Sequence, residues 1–95
     1  MDADKSKEFY DKLISQLYDT SSWPSTYLYK FIVLTDQEKI KTIHTIFDNT
    51  GAVIDSKKSK NGKYTSLSIT VNMQNPEAVV AKYKEVTQVE GVISL

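Results

Sequence analysis

The chain has 95 residues, with twelve basic and twelve acidic side chains, one histidine and no cysteine. This length allows one domain with one modest core, because a domain of this size buries roughly 60% of the surface that its unfolded chain exposes. Zero net charge gives no reason to expect a polyanionic partner. The lack of cysteine excludes disulfides, thiolate nucleophiles and cysteine-based zinc or iron–sulfur sites.

The first residues are charged and lack the apolar segment of a secretory signal. No later stretch approaches the ~20 apolar residues that span a bilayer. We therefore expect a cytoplasmic protein that makes no use of a membrane.

The first predicted element is an amphipathic helix over residues 4–19, with charges on one side. A hydroxyl-rich connector follows, and Pro24 biases Trp23 away from helical geometry, so the helix ends before it. Residues 1–22 are thus expected to form a helix and connector that precede a domain over residues 23–95. The apolar residues of the helix recur at four-residue steps: Phe9, Leu13 and Leu17.

A strand and a second helix are expected next. Residues 27–34 are dense in aromatic and β-branched residues, which is typical of a central strand. The segment that follows matches a capping box, in which the Thr35 hydroxyl and the Glu38 carboxylate each bond a free backbone N–H. A helix therefore begins here and ends before Gly51. Its apolar side carries Ile40, Ile43 and Phe47.

Residues 52–59 and 63–73 are predicted to form a hairpin around Asn61-Gly62, a pair that tolerates the positive φ angles of a tight turn. In the second of these strands aliphatic residues alternate with hydroxyl residues, so one face is expected to be buried and the other open. The aliphatic set is Leu67, Ile69 and Val71, and the hydroxyl set is Ser66, Ser68 and Thr70.

The last predicted elements are a helix and a short strand. Asn75 and Pro76 supply a cap and a first-turn proline, Gly91 ends the helix, and residues 92–95 follow as a strand. After the first helix the order is β-α-β-β-α-β, which predicts an α+β ferredoxin-like two-layer sandwich with an additional N-terminal helix. One core is expected to contain Ile40, Ile43, Phe47, Leu67, Ile69, Val71, Val79, Tyr83 and Val86, and Val80 lies on the same last helix.

Three segments together form a pattern that recurs in a known family: Trp23-Pro24, Tyr29-Lys30-Phe31, and NGKYTSLSIT from Asn61 to Thr70. They resemble the YbeD-like family of small bacterial proteins, domain of unknown function 493. The match covers most of residues 23–95, although residues 31–34 lack a glycine that the family has near the end of this strand. The resemblance implies an ACT-like regulatory fold, a circumstantial association with lipoate metabolism, and no catalytic residues.

The open face of the sheet is the first candidate site. Alternation along residues 27–34 puts Lys30 opposite the aromatic side chains, and burying its ammonium without a partner would cost several kcal/mol. Lys30 is therefore expected to share this face with Ser66, Ser68 and Thr70 as a ligand or partner face, where one cation among hydroxyls suits an anion. Alternatively Lys30 is only solvated, or the N-terminal helix lies over this face.

The hairpin is the second candidate site, because Lys57, Lys58, Lys60 and Lys63 form the strongest local charge concentration. These lysines suit an anion patch that grips phosphates. The favoured interpretation is that they protect an edge strand from aggregation.

Two further residue types are given structural roles. Base stacking by Tyr27, Tyr29 and Tyr64 would need aromatic residues along the central strand, so packing of these tyrosines is preferred. His44 has only Asp48 one turn away and is expected at the boundary of the core. No catalytic residue, metal site or cofactor is expected.

We therefore expect a noncatalytic regulatory or adaptor module that binds a small ligand or protein partner through its sheet. The apolar strand at 92–95 lacks lysines and is expected to pair two copies into a homodimer. Weak nucleic-acid binding through the lysine-rich hairpin is the alternative, and steep salt dependence would identify it.

Overall fold

The computed structural model of the protein describes the backbone of residues 3–95 and the side chains from Lys7 onward. The N-terminal helix predicted over residues 4–19 and the six later elements are all present. In chain order they are α1 Ala3–Thr20, β1 Ser25–Leu34, α2 Gln37–Ile46, β2 Val53–Lys58, β3 Tyr64–Met73, α3 Pro76–Val86 and β4 Ile93–Ser94.

The four strands form one antiparallel sheet in the order β2-β3-β1-β4. β1 and β3 are the central pair and run side by side over their whole lengths, from Ser25 opposite Met73 to Leu34 opposite Tyr64. β4 is shorter than the predicted strand at 92–95, because it pairs with β1 only at Ile93 and Ser94. The mixed helix and strand content and the antiparallel sheet confirm the predicted α+β class.

The core lies between one face of the sheet and the helices α2 and α3. All nine predicted core residues belong to it, with Ile40 and Tyr83 partly buried and the others buried. β1 adds three side chains from alternate positions to the core, on the face opposite Lys30, as the alternation in its sequence predicts. They are Tyr29, Phe31 and Val33.

Tyrosine side chains tie β1 to α3 within this core. The Tyr29 hydroxyl donates to the Val79 carbonyl at 2.9 Å, and the Tyr27 and Tyr83 hydroxyls share a hydrogen bond of 2.8 Å. Burial is the main cause that raises the pKa of Tyr29 and of Tyr83 far above the ordinary tyrosine value. Both side chains are therefore neutral, hydrogen-bonded parts of the core.

Two helix caps show how local chemistry sets the helix boundaries. The predicted capping box at Thr35 is wrong, because Asp36 is the N-cap of α2 and its carboxylate accepts from the backbone N–H of Glu38 at 2.8 Å. The Thr35 hydroxyl instead shares a 2.8 Å hydrogen bond with that of Thr65. The predicted cap at Asn75 is confirmed, since its side-chain oxygen accepts from the backbone N–H of Ala78 at 2.8 Å.

α1 packs against α3 and not over the open face of the sheet. The Tyr18 hydroxyl donates to Glu77 on α3 at 2.6 Å, and the indole N–H of Trp23 donates to the Leu17 carbonyl at 3.1 Å, which fixes the connector. The alternative in which this helix lays Phe9 over the open face is wrong, and Phe9 is 64% exposed. None of the described helices is long and apolar enough to cross a membrane.

Candidate functional site

The open face is the side of the sheet opposite α2 and α3. The register brings side chains from all four strands together on it. It includes Thr26, Leu28, Lys30, Ile32, Leu34, Val53, Asp55, Lys57, Tyr64, Ser66, Ser68, Thr70, Asn72 and Ile93.

Lys30 lies at the centre of this face. It is exposed and stands opposite Ser68 on β3, which in turn stands opposite Asp55 on β2. Directly opposed residues lie about 5 Å apart between Cα atoms, so Ser68 separates the ammonium-bearing residue from the carboxylate-bearing one. Lys30 makes no salt bridge with another residue in the described part of the chain. Its charge is available to a ligand or partner.

The three hydroxyl residues predicted for this face are adjacent to Lys30 or one row away. Ser66 and Ser68 are half-buried and Thr70 is exposed. The Ser66 hydroxyl donates to the Lys57 carbonyl at 3.3 Å, which leaves its oxygen able to accept. The structure thus assembles Lys30 and the three hydroxyl residues on one surface.

Exposed apolar side chains surround this polar centre, a feature that the sequence analysis missed. Leu28 is 50% exposed, Val53 62% and Ile93 52%, and each lies on a different strand. Leu34 and Tyr64 stand opposite each other at the hairpin end of the face and are also exposed. Thr70 lies between Val53 and Leu28, so apolar and polar side chains alternate across this face. Exposed apolar area of this kind suits an interaction surface. The sequence carries one sign of this exposed apolar area: residues 31–34 are all apolar, whereas a strand buried on one face alternates apolar with polar residues.

The lysine hairpin borders the same face. Lys57 stands opposite Ser66 on the open side, whereas Lys58 stands opposite the buried Thr65, and all four lysines are exposed. Lys60 and Lys63 lie in the turn beyond the strands, with the Lys63 ammonium 5.5 Å from the centre of the Tyr64 ring.

The turn that holds these lysines uses only one of the two positive φ angles that the pair Asn61-Gly62 would tolerate. Only Gly62 adopts a positive φ, of 75°. Asn61 contributes through its side-chain oxygen, which accepts from the backbone N–H of Lys63 at 3.0 Å, and the backbone N–H of Gly62 donates to the Ser59 carbonyl at 2.8 Å. Ser59 and Tyr64 close the turn through a 2.7 Å backbone bond. The loop therefore extends from Ser59 to Lys63, because β2 ends at Lys58 and β3 begins at Tyr64.

A shallow cavity of about 440 Å³ joins the hairpin to the open face. Ile32 and Tyr64 give it an apolar floor, and lysines and hydroxyls surround that floor. Its lining residues are Ile32, Lys57, Lys58, Ser59, Lys60, Tyr64 and Ser66. The two candidate sites of the sequence analysis therefore meet at one place.

Of the remaining candidates, only Tyr64 lies at this place. Tyr29 is buried and Tyr27 half-buried toward α3, as packing predicts, but Tyr64 lies on the open face and is 40% exposed. His44 is exposed on α2, beside a second shallow cavity of about 340 Å³ that Asp48 also lines. Among the residues that the structure describes, no three His, Cys, Asp or Glu side chains are placed to hold a metal ion.

Comparison with known proteins identifies a family. No curated protein matches the chain. A family model described as "Protein of unknown function (DUF493)" matches residues 19–95, which include the whole sheet together with α2 and α3. The match begins at the end of α1, so most of that helix lies outside it. The chain therefore belongs to the DUF493 family, to which the YbeD-like proteins also belong.

Proposed function

We propose that the protein is a noncatalytic regulatory or adaptor module that binds a small ligand or a protein partner through the open face of its sheet. The observation that supports this proposal is the composition of that face. It combines exposed aliphatic side chains on three strands with one central cation and three hydroxyl residues. Such a mixture of apolar contact area and a few polar groups is characteristic of binding surfaces.

The position of α1 supports the same proposal. Because α1 packs on α3, this helix leaves Leu28 and Lys30 exposed. The histidine, which is the usual general base near neutral pH, lies on α2 on the other side of the sheet from these residues. The open face therefore offers apolar and polar contacts to a ligand or partner.

We further infer that the domain is ferredoxin-like and specifically ACT-like. The β-α-β-β-α-β order of the elements after α1 and the strand order β2-β3-β1-β4 support this inference. An ACT-like module fits a regulatory function, since the family resemblance implies one. Binding at a sheet face agrees with such a function.

We also propose that two copies associate through the edge formed by β4. Ile93 is half exposed at this edge and no lysine protects it, whereas β2 at the opposite edge ends in Lys57 and Lys58. Sedimentation at high micromolar concentration is expected to show a dimer that Ile93→Asp dissociates. Val53→Asp is the matched control, because Val53 is equally aliphatic and exposed but lies on β2. A monomeric wild type, or equal dissociation by both variants, contradicts pairing through β4.

Partner capture from the native cell tests the binding face itself. Three tagged baits are compared by mass spectrometry: the wild-type chain, Leu28→Glu on the open face, and Thr45→Glu on the exposed side of α2. We expect a partner that the wild type and Thr45→Glu retain and that Leu28→Glu loses. A partner lost only with Thr45→Glu would move the binding surface to the helices and contradict the proposal.

Nucleic-acid binding has less support on this sheet. The open side of β3 presents Ser66, Ser68 and Thr70 where base stacking requires aromatic rings, and Tyr64 is the single aromatic residue at its start. One ring at the end of the face provides no continuous stacking platform.

A further inference from the structure

We propose that the cavity at the lysine hairpin binds a small ligand that joins a carboxylate or a phosphate to an apolar, preferably flat, body. This proposal rests on the proposed function, because it names the class of small ligand that the open face takes. The cavity is the place where cations, hydroxyls and exposed apolar side chains meet.

The charge distribution favours an anion. Residues 57–63 contain four of the twelve lysines of the chain and none of its twelve acidic residues. A neutral protein therefore has a hairpin of charge +4 and a remainder of charge −4. None of these four lysines forms a salt bridge with another described residue. A bound anion would interact favourably with this concentration of positive charge.

Protection of the sheet edge explains only part of this cluster. Lys57 and Lys58 belong to the edge strand β2, where charge deters pairing with another chain. Lys60 and Lys63 lie in the turn between β2 and β3, where no strand edge needs protection. Lys60 also lines the cavity. Two lysines thus remain unexplained by edge protection, and one of them faces the proposed site.

The floor of the cavity favours an apolar body on the ligand. The Tyr64 ring is 40% exposed and the half-buried Ile32 side chain lies one row away on β1. An aromatic or aliphatic group laid over these two side chains would remove apolar surface from water. A volume of about 440 Å³ lies within the range of small-molecule sites, although the cavity is shallow. Inorganic anions would leave this floor exposed.

Side-chain hydrogen bonds within the turn stabilise the hairpin in the absence of a ligand. The Ser59 hydroxyl accepts from the backbone N–H of Tyr64 at 3.0 Å and donates to the Asn61 side-chain oxygen at 3.1 Å. That oxygen also accepts from the backbone N–H of Lys63. A site whose loop is already ordered loses less entropy on binding.

Amide chemical shifts of the full chain test the proposal with four defined probes. Phenyl phosphate and benzoate combine charge with a flat body, and they separate a phosphate from a carboxylate. Inorganic phosphate has only the charge, and benzyl alcohol has only the body. We expect saturable shifts at Lys57, Tyr64 and Ser66 with at least one of the first two probes, at least tenfold tighter than with the last two.

Matched variants locate the site. Lys57→Gln should weaken binding of the preferred probe about two- to fivefold, which corresponds to one exposed ion pair. Tyr64→Thr should weaken it by a similar factor, because it removes the aromatic part of the apolar floor. Lys41→Gln is the control, since Lys41 is exposed on α2, on the far side of the sheet. It should leave the dissociation constant unchanged.

Three results would overturn the proposal. The first is no saturable shift at the hairpin with either combined probe. The second is equal affinity for inorganic phosphate, which would make the site a simple anion patch. The third is a response only to a single-stranded oligonucleotide, with the steep salt dependence of counterion release. Any of these would leave the capture experiment with Leu28→Glu unaffected, so failure of the ligand proposal is distinguishable from failure of the proposed function.

Discussion

Replacing Ile69 by alanine tests the strand phase that defines the open face. Ile69 is fully buried at the middle of β3, between Tyr29 on β1 and Ile54 on β2. The change removes three carbon groups, each of which contributes about 0.8 kcal/mol when buried, so the transfer term alone is about 2.4 kcal/mol. The cavity left among well-packed neighbours adds to this loss. We expect a decrease of about 2–5 kcal/mol in the free energy of unfolding.

Urea unfolding followed by circular dichroism measures this loss. A 3 kcal/mol decrease lowers the midpoint by about 1–3 M urea, with the slope unchanged. Thr70→Val is the matched control on the next residue, which faces the open side and should change stability by less than about 0.5 kcal/mol. If Ile69→Ala does not fold, Ile69→Val should cost about 0.5–1.5 kcal/mol. A loss below half a kcal/mol for Ile69→Ala, or a larger loss for the control, would refute the phase.

Three further predictions follow from the fold. Burial raises the pKa of Tyr29 and Tyr83, so the unfolded chain loses these protons at a lower pH than the folded one, and the free energy of unfolding should fall as pH rises above about 10. Urea unfolding at a series of pH values measures this fall, and a Tyr83→Phe variant with the same pH dependence as the wild type contradicts the prediction. Asp36→Ala should cost about 0.5–2 kcal/mol in thermal or urea unfolding as the N-cap of α2 is lost, and a variant as stable as the wild type would reject the cap. A chain that starts at Ser22 should shift the amide resonances of α3 and leave that of Ser68 unchanged, whereas changes confined to the open face would contradict the placement of α1.

Local sequence chemistry predicted the order of the elements and the core. Alternation in β3 and helical spacing in α2 and α3 each depend on neighbours within a few residues, so they can be recognised without knowledge of the fold. The buried set from Ile43 to Val86 followed from this periodicity. The cap at Asn75 was equally local.

Features that depend on distant residues were harder to predict. Thr and Asp are both residue types that cap helices, but Thr35 shares its hydroxyl hydrogen bond with Thr65 on β3 and Asp36 caps α2. The extent of β4 depends on its pairing with β1, a distant segment of the chain, and Ile93 and Ser94 are the residues that pair. Periodicity also shows that α1 has an apolar side without showing which surface receives that side.

The sequence predicted the open face and the lysine hairpin as two separate candidate sites and did not show that they are adjacent. Alternation placed Lys30 with the hydroxyl residues, and composition singled out the lysines of the hairpin. Their meeting at one cavity depends on the register that sets Lys57 opposite Ser66 and Ser66 opposite Ile32. Register between strands is a tertiary property, so the exposure of Tyr64 beside this cavity appeared only with the structure.

Photo-crosslinking in the native cell tests most directly whether the open face is the binding surface. A photoreactive phenylalanine analogue is placed at position 28, at the exposed Leu28 of β1, or at position 45, at the exposed Thr45 of α2. The proposal predicts covalent products, with a partner or a second copy, from position 28 and none from position 45. Products from position 45 with none from position 28 would contradict it.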